Sequence, residues 1–363
     1  MDPDASFARS APLGAYILPG RVSDPRPAIA QAAAAEDIGL GAVWIGERYG
    51  TKDALVLAGA VGQATTRVRI ATGITHFGVR HPMALASAAL TLQALTGGRF
   101  VLGVGRSVGP LWKAFGLPAM TNTILVDTAD IIRRLCRGEK VSYDGPAGRF
   151  PHLRLGDLPE VPPPPIVMAA IGPKSLAVAG QAFDGVLLHP FLTAEAVGRS
   201  AEIVRRAAEE AGREPSSVRV CATVVTAPDL APEEEAAVVG GRAVTYFQIP
   251  SFGELLAGVN GWDTGPLDRL RAAPQLAGLR GAADNVFTRD QLTDVSKLLP
   301  PEWLETGAAM GTAATCAARM AEYLDAGADE LVLHGTTPEL LGSAVGHFAS
   351  DERRGHIGDE IVR

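Results

Sequence analysis

The residues able to do chemistry in this sequence recur just after short apolar runs. Ala42–Ile45 is followed by Glu47, Arg48 and Tyr49, Val68–Ile74 by Thr75, His76 and Phe77, and Phe100–Gly105 by Arg106 and Ser107. Ile166–Ala170 leads into Gly172, Pro173 and Lys174, while two further runs end on His189 and His334. These types supply two kinds of work. A histidine titrates near neutral pH and can move a proton, and His76 is the first candidate for that, with His189 and His334 as second choices. Arginine forks hold anions, and so does a glycine turn that opens a helix and offers free backbone amides at its positive end. Arg48 stays protonated and cannot be a general base, but it could orient an anionic group or a carbonyl oxygen. Adjacent strand residues point oppositely, so only one of Glu47 and Arg48 is expected to face a pocket. The alternative for that pair is a structural ion pair at a rim.

The elements that must position these groups alternate along the whole chain. Strands are expected at Gly14–Leu18, Ala42–Ile45, Val68–Ile74, Phe100–Gly105, Ile166–Ala170, Gly185–His189, Val218–Thr226 and Glu330–His334. Ala-rich helical stretches lie between them, near Pro27–Gly39, Asp53–Thr65, Pro82–Thr96, Thr123–Arg137, Lys174–Gly180, Ala194–Gly212 and Thr312–Gly327, with a last one at Pro338–Ala349. Eight strands, each followed by a helix, suggest a single (β/α)8 TIM barrel, in which reactive groups gather beyond the C-terminal strand ends. Polar groups stand at six of those eight ends. Several strands are apolar throughout, as burial on both faces requires. Helices repeatedly stop at glycine before the next strand, as in EDIGLGAVWI, QALTGGRFVLGV, the AGQAFDGVLL stretch and DAGADELVL, where glycine would supply a left-handed cap. A doubly wound sheet is the alternative, but its G-x-G-x-x-G fingerprint is missing from the first strand–helix turn. Residues 1–363 are therefore read as one barrel domain. Within it, Glu139–Pro165 is expected to form a hairpin and a stiff connector, and 229–310 an insertion that covers the pocket or makes a subunit contact.

Composition narrows the function classes. A net charge of -7 offers no concentrated cationic face for a phosphate backbone, so neither nucleic acid nor an acidic membrane is an expected partner. Cys136, Cys221 and Cys316 are far apart and form no CxxC pair, and they read as small buried residues of a reduced compartment. The acidic N-terminus carries no apolar h-region and no apolar run reaches membrane-spanning length, which fits a cytoplasmic protein. No metal site is expected. Metal-dependent barrel hydrolases use a His-x-His pair on the first strand, and Gly14–Leu18 has none.

Four segments carry a resemblance: GAYILPG, the block IATGITHFGVRHPMALASAALTLQALTGGRFVLGVGRS, the turn AAIGPKSLAVAGQAFDGVLLHP, and AGADELVLHG. Together they resemble the bacterial-luciferase-like family, and within it the coenzyme F420 (deazaflavin) dependent oxidoreductases of actinobacteria. The resemblance covers nearly the whole barrel and least the 229–310 insertion. It implies a non-prolyl cis peptide at Gly73–Ile74 supporting the back of the tricyclic ring. It also implies a cofactor phosphate held in the turn Ala170-Ile171-Gly172-Pro173-Lys174-Ser175. The second anchor it implies is Gly103-Val104-Gly105-Arg106-Ser107, where small residues let the cofactor chain approach the backbone and Arg106 reaches a phosphate. Tyr49, His189 and His334 would then line the substrate side, with His76, Glu47 and Arg48 nearest the chemistry.

The chain departs from the better-known deazaflavin dehydrogenases after the second strand. Glu47-Arg48 replaces an acid followed by histidine, and Val108 replaces an acid after the GVG turn, so a sugar-phosphate dehydrogenase constellation is incomplete. The expected function is hydride transfer between F420 and a small organic substrate. An FMN-dependent monooxygenase fed by a separate reductase is the alternative, and a non-catalytic deazaflavin carrier is a third reading. A homodimer, supplied indirectly by an F420- or flavin-reducing enzyme, completes the expectation.

Overall fold

A computed structural model describes residues 7, 11–49, 52–106, 109–117, 119–279 and 282–361, with side chains placed except at 109–111 and 352–361. Its strands in chain order are β1 (Leu13–Ile17), β2 (Ala42–Ile45), β3 (Arg69–Thr72), β4 (Thr75–His76), β5 (Phe100–Gly105), β6 (Val141–Gly145) and β7 (Gly148–Leu153). They continue as β8 (Ile166–Ala170), β9 (Gly185–Leu188), β10 (Arg219–Pro228), β11 (Ala308–Gly311) and β12 (Glu330–Gly335). All pairings in the main sheet are parallel, and it closes because β10 pairs with β9 on one side and with β12 on the other, while β12 pairs with β1. The result is a closed (β/α)8 barrel of eight positions, with β3 and β4 sharing one. Closure rules out the doubly wound alternative, whose sheet has free edges.

Side-chain alternation divides the core into two layers. Ala15, Ile17, Val43, Ile45, Ile70, Leu102 and Met168 face outward and pack against the helices. Tyr16, Ala42, Trp44, Ala71, Val101, Val167, Leu187, Cys221 and Val332 face inward and fill the barrel, with Phe7 packed among them. All three cysteines are buried and unpaired. The helices are α1 (Pro27–Asp37), α2 (Ala54–Ala64), α3 (Pro82–Leu95), α4 (Gly109–Ala114), α5 (Asn122–Cys136), α6 (Pro173–Ala182) and α7 (Ala194–Glu210). After the insertion come α14 (Ala313–Asp325) and α15 (Pro338–Ile361). Gly39 and Gly327 supply the expected left-handed stops, with φ of 85° and 115°. Gly180 does not. It lies inside α6, and a Cβ there would stand 2.2 Å from the Val204 carbonyl oxygen, so this glycine permits close contact with α7.

Two further departures matter for the site. The expected strand Val68–Ile74 is broken into β3 and β4 around Gly73–Ile74. The segment read as one insertion ends in a strand, β11, which extends the sheet beside the end of β10. Its four short residues, AAMG, carry no period long enough to reveal it. Between β10 and β11 lie α8 (Pro232–Glu235), a π-helical turn (Ala236–Gly240), α9 (Gly241–Phe247), α10 (Phe252–Asn260), α11 (Gly265–Arg271), α12 (Arg289–Ser296) and α13 (Pro301–Gly307). This insertion is pinned to the barrel by aromatic packing: Trp262 stacks on Trp303 at 4.9 Å, Phe247 meets Trp303 at 5.0 Å, and Phe191, just beyond β9, meets Phe247 at 5.8 Å. Among the described residues no helix is long and apolar enough to cross a membrane.

Candidate active site

The floor of the barrel mouth is built where the sheet is interrupted. The Gly73–Ile74 peptide is cis. Tyr16, on the inner face of β1, donates from its hydroxyl to the Gly73 carbonyl at 2.9 Å, and burial first of all pushes this phenol's pKa upward, so it stays a neutral donor. A Cβ on Gly73 would stand 2.6 Å from that hydroxyl, so only glycine fits beneath Tyr16. Gly103 and Gly105 answer to the same break. A Cβ on Gly103 would stand 1.8 Å from the Thr72 carbonyl oxygen and one on Gly105 2.5 Å from Ile74 Cδ1. Packing of the interrupted strand therefore accounts for both glycines without a cofactor chain. Gly73, Ile74, Ala169 and Ile171 are half-buried while their neighbours on the strands are buried, which leaves an apolar strip open at the mouth.

That strip leads to the start of α6. Gly172 caps the helix without any side-chain hydrogen bond and Pro173 occupies its first turn, where its missing N–H costs nothing. Arg106 Nη2 donates to Ser175 Oγ at 2.8 Å and also bonds Asn122 Oδ1, which brings a half-buried guanidinium to the same helix end. Lys174 is exposed there, and Ala170 is buried in the helix-facing layer, so it can offer a ligand only its backbone. Helix dipole, backbone amides, Arg106 and Lys174 make this end suited to an anion. Ser107 lies outside the described residues.

His76 is held at both nitrogens. Nδ1 accepts from the Gly78 amide at 2.9 Å, so the proton sits on Nε2 and is donated to the Arg106 carbonyl oxygen at 3.0 Å. Burial lowers its pKa. Proton transfer through His76 would require one of these bonds to break, and its evident work is to tie β4 to the turn after β5.

Glu47 and Arg48, just beyond β2, diverge. The Glu47 carboxylate is 2% exposed and bound bidentately by Arg80, at 2.5 and 2.7 Å, with Thr75 and Tyr49 hydroxyls as further donors. It is a structural acid at the rim, and its ion-pair partner is Arg80. Tyr49 is exposed and lies edge-on to Phe115 at 5.3 Å. Arg48 instead reaches the insertion, where its Nη2 meets Asp284 Oδ2 at 2.7 Å. The same carboxylate oxygen binds Arg242 at 3.1 Å.

On this side of the mouth positive charge accumulates. Lys52 donates to the carbonyls of Leu18 and Gly20, and Arg289 donates to those of Gly335 and Pro19, at 2.7 and 3.3 Å. Burial, reinforced by Arg48, Arg242 and Arg289, brings the Lys52 pKa down to about 7. His334 faces inward from β12, with its ring 4.5 Å from that of Tyr16. Burial and then the charges of Arg242, Arg289, Lys52 and Arg48 hold it neutral, and its buried Nδ1 has no hydrogen-bond partner. His189 lies against Tyr246 and Phe252, at 4.4 and 5.0 Å. Its Nδ1 bonds the Pro190 carbonyl oxygen at 2.8 Å, and burial pushes its pKa to about 4.

The structure places Arg48, His189 and His334, named from the sequence, at the mouth together with Tyr16, Lys52, Arg80, Arg242, Tyr246, Asp284 and Arg289, which the sequence did not single out. Tyr16 was findable, since it lies an even step from Gly14 on an inward face. Arg242, Asp284 and Arg289 sit in short irregular helices and turns with no strand register to mark them.

Residues 6–330 match the family model described as luciferase-like monooxygenase. The chain is 29% identical over 320 residues to 5,10-methylenetetrahydromethanopterin reductase of Methanolobus tindarius, covering 85% of this chain and 90% of that protein. It is 32% identical over 211 residues to F420-dependent hydroxymycolic acid dehydrogenase of Mycobacterium tuberculosis, covering 52% of this chain and 56% of that one. Coenzyme F420-dependent tetrahydromethanopterin reductase from Methanopyrus kandleri has the same fold, with a TM-score of 0.77 at 21% identity over 94% of this chain and 100% of that one.

Proposed function

We propose that this chain, which belongs to the luciferase-like monooxygenase family, is a coenzyme F420-dependent oxidoreductase acting on a small organic molecule. The observation that carries this reading is the apolar strip at Ile74 and Ala169 running to the uncapped start of α6 beside Arg106. A flat ring system with a phosphate-bearing tail fits that shape and charge. The F420-dependent relatives support the choice of cofactor.

When bound, the deazaflavin supplies a carbon that takes up or gives a hydride. The chain's own residues do the rest. Gly73 and Ile74 would support the ring, with Tyr16 fixing the Gly73 carbonyl from below. The Gly105-Arg106 turn, the backbone of Ala170 and Gly172, and Pro173, Lys174 and Ser175 would hold the tail. His189 and His334 are both neutral, His189 bonds the protein through Nδ1 alone and His334 Nδ1 has no protein partner, so a substrate hydroxyl or carbonyl can meet them inside the mouth. Tyr246 and Phe252 keep water from His189. On this reading a separate F420-reducing enzyme supplies the reduced cofactor, and the working unit is a homodimer.

Titration of the purified chain with F420 and, separately, with FMN tests the assignment by fluorescence. Saturable F420 binding in the micromolar range, weakened at least tenfold by Arg106→Gln, is expected. Micromolar FMN binding without F420 binding would overturn it in favour of a flavin-dependent monooxygenase.

A further inference from the structure

We infer that the substrate carries an oxyanion, a carboxylate or phosphate group, that docks among Arg242, Arg48, Lys52 and Arg289 above His334. The word substrate rests on the proposed function; the anion site rests on the arrangement of charge.

Four cationic side chains act on His334, and Asp284 is the carboxylate placed among them. The nearby acids are committed elsewhere, since Glu47 and Asp53 both bind Arg80. Arg242 and Asp284 have side chains only 5% and 9% exposed. Charges removed from water to this degree are retained when counter-charge and hydrogen bonds replace the lost solvent. Among the described residues Asp284 is the carboxylate set against the three arginines and Lys52, whose own proton is released near pH 7. The carbonyls of Leu18, Pro19, Gly20 and Gly335 fix Lys52 and Arg289 in place without neutralising them.

The geometry also converges. Arg289 and Arg242 each bring Nη2 close to Gly20, 3.1 and 3.2 Å from where a Cβ would stand. A side chain at this position would crowd both guanidinium ends. Arg242 Nε and His334 Nδ1 are buried and have no hydrogen-bond partner, and neither has Oδ1 of Asp284, the carboxylate that Arg242 binds. Planar guanidinium forks match the paired oxygens of a carboxylate or phosphate. The lone acceptor on Asp284 admits a hydroxyl next to the anionic group. The cofactor's own phosphate does not compete for this place. Its turn follows β8, whereas Arg48 and Lys52 follow β2, Arg242 and Arg289 stand on the insertion, and the carbonyls that hold Lys52 and Arg289 lie at the ends of β1 and β12, across the barrel in the strand order.

The test is calorimetric titration of the full-length chain at low ionic strength with inorganic phosphate and with malonate, using sodium chloride at matched ionic strength as the control. Because phosphate can also enter the α6 turn, each titration is repeated in Arg106→Gln. Saturable binding of at least one probe that survives Arg106→Gln and weakens at least tenfold in Arg242→Gln is the expected result. Arg289→Gln gives the second reading if Arg242→Gln does not fold. No saturable binding beyond the chloride control, or binding lost in Arg106→Gln and untouched by Arg242→Gln and Arg289→Gln, overturns the inference. F420 affinity is measured in the same preparations. F420 binding without anion binding sinks the anion site alone, and anion binding without F420 binding sinks the oxidoreductase reading alone.

Discussion

The two ends of the barrel each bury arginines around one carboxylate. At the N-terminal end Glu330 is fully buried and accepts from Arg69, from Arg219 Nε at 3.0 Å and from Trp44 Nε1 at 3.0 Å. Phe7 lies over both arginines, 5.1 and 5.6 Å from their guanidinium carbons, and its carbonyl accepts from Arg219. Two nitrogens of Arg69, Nε and Nη1, lack an acceptor there, but an aromatic face covers the guanidinium. Burial alone would raise the Glu330 pKa, and the two arginines outweigh it and lower it. At that end two arginines share one carboxylate and an aromatic face. At the C-terminal mouth Asp284 is, among the described residues, the carboxylate set against Arg48, Arg242, Arg289 and Lys52, and orphaned polar atoms remain on Arg242, His334 and Asp284. A plug and a binding site made from the same residue types differ in charge balance, and that balance is what separates structure from function here.

The contrast breaks most readily at the plug. Glu330→Gln leaves two buried arginines without a counter-charge and is expected to cost about 3–5 kcal/mol of stability, read as a lowered urea midpoint, while F420 and anion affinities of the folded fraction stay unchanged. Asp284→Asn is the matching change at the mouth. It should cost less, about 1–3 kcal/mol, and it should tighten phosphate or malonate severalfold because the competing carboxylate is gone. Equal stability losses at the two ends, with no gain in anion affinity, would mean that the mouth is merely a second plug.

Much of this was legible from sequence, and the limits have physical causes. The barrel followed from alternating apolar runs and glycine stops, since both are local. Gly73 could be placed at the sheet break because the resemblance marks that pair, although Gly103 and Gly105 turned out to serve the same break. The ion pairs were not legible. Glu47 meets Arg80 across 33 residues and Arg48 meets Asp284 across 236, so adjacency in sequence pointed to the wrong pairing. The cationic cluster combines side chains from the segment after β2 and from the insertion with carbonyls at the ends of β1 and β12, and only closure of the sheet assembles it.

A smaller effect sharpens the comparison through pH. Lys52 in the unfolded chain keeps its proton to its ordinary pKa of 10.5, while the folded chain releases it near 7 because burial and three arginines oppose the charge. The unfolded state therefore binds more protons between these values, and this group makes stability rise with pH through that window. Subtracting the stability curve of Lys52→Met from that of the wild type should reveal that rise. Saturating phosphate should flatten it, because a bound anion restores the lysine's charge. A difference curve that is flat without phosphate would show that the mouth is not under positive strain.

The smallest expected effect is at His76, which lies outside both charge clusters. Its Nδ1 accepts from Gly78 as the cap of a short 3-10 turn, and its Nε2–H donates to Arg106. Asparagine is a good cap and can keep the first bond, so His76→Asn should lose only the second, about 1 kcal/mol of stability. With both nitrogens engaged and the pKa lowered by burial, the ring should show no NMR titration near 6.5, the ordinary histidine value. Anion affinity should be unmoved, since none of the four cations touches this ring. A His76 that titrates near neutrality, or a variant that abolishes turnover while folding normally, would move the proton chemistry from the mouth histidines to the sheet break.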